Sequence, residues 1–179
     1  KNILPKGSYI CCQVIGDTPR LKSKIIGRSC TGFSHGREKD HMIERSLFSA
    51  DHKAFRDSFR RFMHAEIAPF HAAWEQQGFV DKAVWKKAGA LGFLNMSMPA
   101  EYGGADADKL FSVVQIEELS AAGFTGIGYG LHSEIVSPYL LHYGTTEQKR
   151  RYLPLLSSGD MVGAIAMTEP SAGSDLQGI

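Results

Sequence analysis

From about residue 49 to residue 160 the apolar residues of this chain fall on helical spacing, and only afterwards does a strand-like run appear. Phe55, Phe59, Phe62, Ile67, Phe70 and Trp74 recur largely at three- and four-residue steps and form one apolar stripe. Ser49 or Asp51 can cap its start, Pro69 kinks it, and Gly78 stops it. Asp81 caps a second helix through Val84, Trp85 and Leu91 that ends near Gly92. A third is expected from Asp106 or Asp108 to Ala122, and a fourth from about Thr125 to Tyr143. Thr145-Thr146-Glu147-Gln148 fits a capping box opening a further helix, which passes Tyr152 and Leu156 and closes at Gly159. A strand, Val162 to Met167, comes next. Helices followed by the start of a sheet, without a βαβ alternation or a Gly-x-Gly-x-x-Gly fingerprint, exclude a Rossmann crossover. The expected class is mainly α.

The 179 residues, 43% of them hydrophobic, can bury one sizeable core. A formal charge of +1 gives no support to nucleic-acid or membrane-surface binding. The basic run Lys149-Arg150-Arg151 points in different directions on a helix, as a solvated face does. No apolar run approaches the roughly 20 residues that span a bilayer. Cys11, Cys12 and Cys30 are odd in number and lack ligand spacing, so neither a disulfide framework nor a zinc site is indicated. Residues 1–41 hold Pro5, Gly7, Gly16 and Pro19, no sustained apolar period, and few acidic side chains before Glu38. They are expected to be poorly ordered. A mitochondrial transit peptide and an extension upstream of Met42 both fit them. The first points to a mitochondrial matrix protein and the second, preferred here, to a bacterial cytoplasmic one.

The chemistry concentrates at the end. Ile165-Ala166-Met167-Thr168-Glu169-Pro170 turns an apolar run into a polar corner, and Ser171-Ala172-Gly173-Ser174-Asp175 continues it with small residues. Pro170 fixes the corner, while Gly173 and Ser174 let backbone approach a flat, partly anionic ligand. Such residues also make ordinary turns. Upstream, Gly126, Gly128 and Gly130 fall in the fourth helical stretch, where each costs about 1 kcal/mol against alanine. Tight helix packing and space for a ligand tail explain them equally well.

Ala166-Met167-Thr168-Glu169-Pro170-Ser171-Ala172-Gly173-Ser174-Asp175 resembles, position by position, the first signature of the acyl-CoA dehydrogenase family, flavoenzymes that oxidise coenzyme A thioesters. The resemblance extends over about residues 42–179. It includes Trp85-x-x-x-Gly89-x-x-Gly92, Pro99-x-x-Tyr102-Gly103-Gly104 and Gly144-Thr145-x-Glu147-Gln148-Lys149. Gly163 to Pro170 and Asp175 to Ile179 look most like long-chain members, whereas Ile127 and Glu134 depart from their pattern. The resemblance implies an extension over 1–41, an N-terminal helical domain over 42–160, and the start of a middle β-domain over 161–179.

By the same resemblance, FAD is the cofactor. Ile165, Ala166, Met167 and Thr168 would lie along its isoalloxazine edge, with the Thr168 hydroxyl among the donors, and Gly173 and Ser174 would approach its pyrophosphate. A donor near the ring helps it accept hydride, and small residues expose amides to phosphate. Ser174, Gly128 and Tyr129 would contact the acyl-CoA substrate, and Glu169 is structural rather than catalytic. The resemblance places the catalytic base in a later helical bundle, so the chain reads as an N-terminal fragment without catalytic residues, inactive alone. It implies α,β-dehydrogenation of medium-to-long-chain acyl-CoA in fatty-acid β-oxidation, electron-transfer flavoprotein as acceptor, and a homo-oligomer at full length. Two alternatives stand beside it: a related flavoprotein with another substrate, and a non-catalytic helical interaction module.

Overall fold

A computed structural model describes residues 45–170, 172–175 and 177. The expected poor order of residues 1–41 lies outside them. Among the described residues, seven α-helical segments succeed one another: α1 Ala50–Phe62, α2 His71–Gln77, α3 Lys82–Ala90, α4 Lys109–Ala121, α5 Tyr129–Leu131, α6 Ser137–Tyr143 and α7 Thr146–Ser157. The mainly α class is what the chain adopts. Local capping sets the boundaries. Ser49 starts α1, Asp108 accepts from the Leu110 amide at the start of α4, and Thr145 with Gln148 forms the anticipated box on α7. The alternative α4 cap, Asp106, instead has φ +49° and accepts from the Ala100 amide at 3.0 Å, closing the Pro99 loop.

Two helices are interrupted by one device. Met63–Ile67 and His132–Val136 are π turns, closed by amides of Ala68 and Ser137 that reach five residues back to the Met63 and His132 carbonyls. Each of those amides immediately precedes a proline, Pro69 or Pro138. Proline has no N–H and its ring crowds the carbonyl four residues earlier, so a widened turn relieves both problems. The extra residue also absorbs the five-residue step from Phe62 to Ile67, keeping both side chains in one core.

That core is aromatic. Phe93, on the loop after α3, meets the Phe59 and Phe62 rings edge-on at 5.2 Å each. Trp85 stands perpendicular to Tyr129 at 4.8 Å. Helices α1 and α4 are tied by charge as well as packing. Glu118, only 5% exposed, accepts from Arg56 and from Arg60 at 2.5 Å each, and Glu117 accepts from Arg45 and Arg56. Burial pushes the Glu118 carboxyl up, but the two guanidinium hydrogen bonds outweigh it and hold it below the ordinary carboxylate range. A second cluster of Met98, Leu140, Leu153 and Leu156 lies under α6 and α7.

Two sequence expectations are corrected. Gly126 and Gly128 are not in a helix: both have left-handed φ (+77° and +75°), and α5 starts only at Tyr129. Their lack of Cβ serves loop conformation rather than helix packing, and no helical glycine cost arises at them. The expected strand over 162–167 is not a strand among the described residues. The stretch carries no ladder, and the single bridge nearby pairs Glu169 with Ala172. An apolar extended run becomes a strand only beside a neighbour to pair with.

Candidate functional site

Where the signature segment leaves the helices is set by close backbone contacts. Gly159, with φ +74°, comes after α7, and a Cβ there would stand 2.2 Å from the Trp85 carbonyl oxygen of α3. Reciprocally, a Cβ on Gly89 would stand 2.2 Å from the Ser158 carbonyl oxygen. Lys86 pairs with Asp160 at 2.8 Å, and the Met161 amide donates to the Leu155 carbonyl at 3.0 Å. The Gly163 amide then donates to Nδ1 of His132 at 2.9 Å.

Beyond Gly163 the anchoring ends. Among the described residues, neither the backbone of Ala164 to Thr168 nor the Thr168 hydroxyl makes a hydrogen bond. Ala164, Ala166, Met167 and Thr168 are exposed and Ile165 is half-buried. The chain then closes a tight turn, in which the Glu169 amide donates to the Ala172 carbonyl at 2.8 Å and the Ala172 amide returns the bond at 3.1 Å. Thr168 and Gly173 occupy the two arms just outside this pair. Gly173 and Ser174 are exposed, and a Cβ added at Gly173 would meet nothing within 4 Å. Glu169 takes part through its backbone in closing the turn.

Of the cofactor-facing candidates, Ala166, Met167, Thr168, Gly173 and Ser174 are exposed and Ile165 is half-buried. Amides of residues 164–168 and a Thr168 hydroxyl without partners among the described residues, with open space beside Gly173, are donors of the kind that the polar rim and phosphates of a flavin nucleotide would take. Gly128 and Tyr129 lie elsewhere, at the start of α5. Gly128 is exposed, but the Tyr129 side chain is wholly buried and its hydroxyl donates to the Val84 carbonyl at 3.3 Å. Burial also raises the Tyr129 pKa, so that side chain is a neutral core group rather than an acyl-facing one.

His132 escaped sequence reasoning. It is fully buried between Trp85, the end of α7 and Gly163, and burial pushes its pKa down to about 4. The only available signal was a histidine six residues before a proline in an apolar helix, which is not specific. No helix among the described residues is long and apolar enough to cross a membrane.

The helical stretch has counterparts among known proteins. Residues 49–160 match the model of the acyl-CoA dehydrogenase N-terminal domain. The mouse mitochondrial long-chain specific acyl-CoA dehydrogenase is 46% identical over 135 residues, 75% of this chain and 31% of that protein. The potato mitochondrial isovaleryl-CoA dehydrogenase is 39% identical over 133 residues, covering 73% of this chain and 32% of the relative. A crystal structure of an acyl-CoA dehydrogenase complexed with FAD from Bacillus anthracis superposes with a TM-score of 0.67 at 39% identity, covering 74% of this chain and 23% of that one. The chain spans about a third of the length of the curated relatives it matches.

Proposed function

The chain belongs to the acyl-CoA dehydrogenase family, and from that premise we propose that it supplies the helical domain and one flavin-facing edge of a FAD-dependent dehydrogenase. The proposed reaction removes the α-proton and β-hydride of a medium-to-long-chain acyl-CoA, giving the trans-2-enoyl-CoA of fatty-acid β-oxidation. Residues 42–160 are the helical domain and 161–179 begin the β-domain in this reading. One observation supports it: Ala166, Met167, Thr168, Gly173 and Ser174 are exposed, and residues 164–168 make no backbone hydrogen bond among the described residues.

Bound FAD would supply the acceptor for the β-hydride. Backbone groups of Ile165 to Met167 and the Thr168 hydroxyl would hold the edge of the ring. Gly173 and Ser174 would hold the pyrophosphate, with Ser174 also touching the coenzyme A portion. Exposed Gly128 would leave room along the acyl chain, and the buried Tyr129 ring would stiffen that wall from behind. Electron-transfer flavoprotein is the proposed acceptor and a homo-oligomer the proposed assembly.

Long-chain substrates are favoured by the mouse relative, and a short branched thioester is the second reading, favoured by the potato one. Anaerobic titration of the FAD-loaded full-length protein with palmitoyl-CoA and with isovaleryl-CoA separates them. Bleaching of the visible flavin band by palmitoyl-CoA is expected. Bleaching by isovaleryl-CoA alone would replace the substrate, and a full-length protein that retains no flavin would end the proposal.

A further inference from the structure

We infer that His132 is a positioning residue that fixes, through its Nδ1, the point at which the signature segment leaves the helical body. Its bearing on a flavin rests on the function proposed above; its anchoring of the chain does not.

The geometry assigns the tautomer. His132 Nε2 lies 3.0 Å from the Leu156 carbonyl oxygen, which can only accept, so Nε2 carries the proton. Nδ1 is then a lone pair, and the Gly163 amide donates to it at 2.9 Å. One imidazole thus joins the last turn of α7 to the outgoing chain. The ring has no freedom to turn away, because it is fully buried with Trp85 5.2 Å from its centre. Its own backbone carbonyl accepts from the Ser137 hydroxyl at 2.9 Å.

Position in the helix matters equally. His132 opens the π turn that precedes Pro138. An inserted residue rotates the downstream helix by about 100° around its axis, so the widened turn sets where His132 stands relative to α6. Gly163 is fitted to the same spot, since a Cβ there would meet Val136 Cγ1 at 2.8 Å and His132 Nδ1 at 3.4 Å. Gly163 is the final hydrogen-bonded backbone position before the five residues 164–168, which have no such anchor among the described residues. A buried histidine that only filled core space would not need to spend its lone pair there.

Two conservative variants in the full-length protein divide the imidazole's bonds. His132→Asn puts an oxygen near the Nδ1 position and keeps an acceptor for Gly163 while losing the Leu156 bond. His132→Gln reaches toward Leu156 with its amide nitrogen and leaves Gly163 without an acceptor. Residue-resolved hydrogen exchange at Gly163 should accelerate about fivefold to tenfold in His132→Gln, the worth of one net hydrogen bond, and stay near wild type in His132→Asn. FAD affinity of the full-length protein should show the same split. Equal exchange at Gly163 in both variants, or exchange that tracks only their melting temperatures, would overturn the inference. A wild-type protein that binds no FAD would defeat the proposed function instead, and the exchange split would still decide the role of His132.

Discussion

Gly89 on α3 and Ser158 at the end of α7 touch backbone to backbone: a Cβ on Gly89 would lie 2.2 Å from the Ser158 carbonyl oxygen. One residue on, Gly159 backs onto the Trp85 carbonyl in the same way. The pair of glycines lets α3 and α7 approach without side chains between them, and the signature segment departs from that junction.

Gly89→Ala should therefore destabilise the fold by about 3 kcal/mol, the upper range for overpacking, because the obstacle is main chain and cannot swing aside. Gly159→Ala should cost more, since φ +74° adds about 1 kcal/mol of left-handed strain to the same clash. Urea midpoints measure both. A Gly89→Ala protein as stable as wild type would show that the junction is looser than described.

Glu118 is the buried centre of the α1–α4 ion network. Glu118→Gln leaves Arg56 and Arg60 beside a neutral partner and should lose about 3 kcal/mol at neutral pH. The lowered carboxyl gives the pH dependence its sign. The folded state holds the proton less well than the unfolded chain, so the stabilisation is present above the unfolded carboxylate pKa. It is lost as pH falls through the folded value. Acid titration of stability should be shallower in the variant than in wild type, and identical curves would refute the assignment.

Thr145 and Gln148 exchange two hydrogen bonds, at 2.8 and 3.2 Å, at the start of α7. Thr145→Ala should lose about 1 kcal/mol and Thr145→Ser almost nothing. Thermal melting of both variants checks this, and equal losses would mean that the hydroxyl is not the cap.

How much could be read in the sequence depends on how far each determinant reaches along the chain. Ser49, Asp108 and Thr145 act on amides two or three residues away, so their residue types were enough. The signature was legible because its residues are contiguous; in the structure Ala166, Met167, Thr168, Gly173 and Ser174 are exposed, whereas Ala172 is buried. The expectations that failed depend on distant partners. A strand at 162–167 needs a neighbouring strand, and Tyr129 needs Trp85 and the Val84 carbonyl to hold it in the core. Gly126 and Gly128 look alike in a helix or a loop until φ is known. His132 was illegible for the same reason: its partners Leu156 and Gly163 lie 24 and 31 residues away.

His132 should also give stability a pH dependence of its own. Burial pushes its pKa down to about 4, from the ordinary 6.5, with the Leu156 carbonyl opposing that shift. The unfolded chain therefore takes the proton first, and between those values it binds more protons than the folded state. Stability must then fall as pH drops from 6.5 toward 4, by about 3 kcal/mol in all at 1.36 kcal/mol per unit of pKa. Below pH 4 both states are protonated and this contribution is constant. Protonation also places an Nδ1–H against the Gly163 N–H, two donors in the space of one bond, so acid should loosen the signature segment at the same step. Urea unfolding at successive pH values, wild type against His132→Gln, isolates the effect from the carboxylates common to both. The variant should be less stable at pH 7 and lose less on acidification to pH 4. Parallel curves would mean that His132 does not titrate between folded and unfolded states as its burial requires.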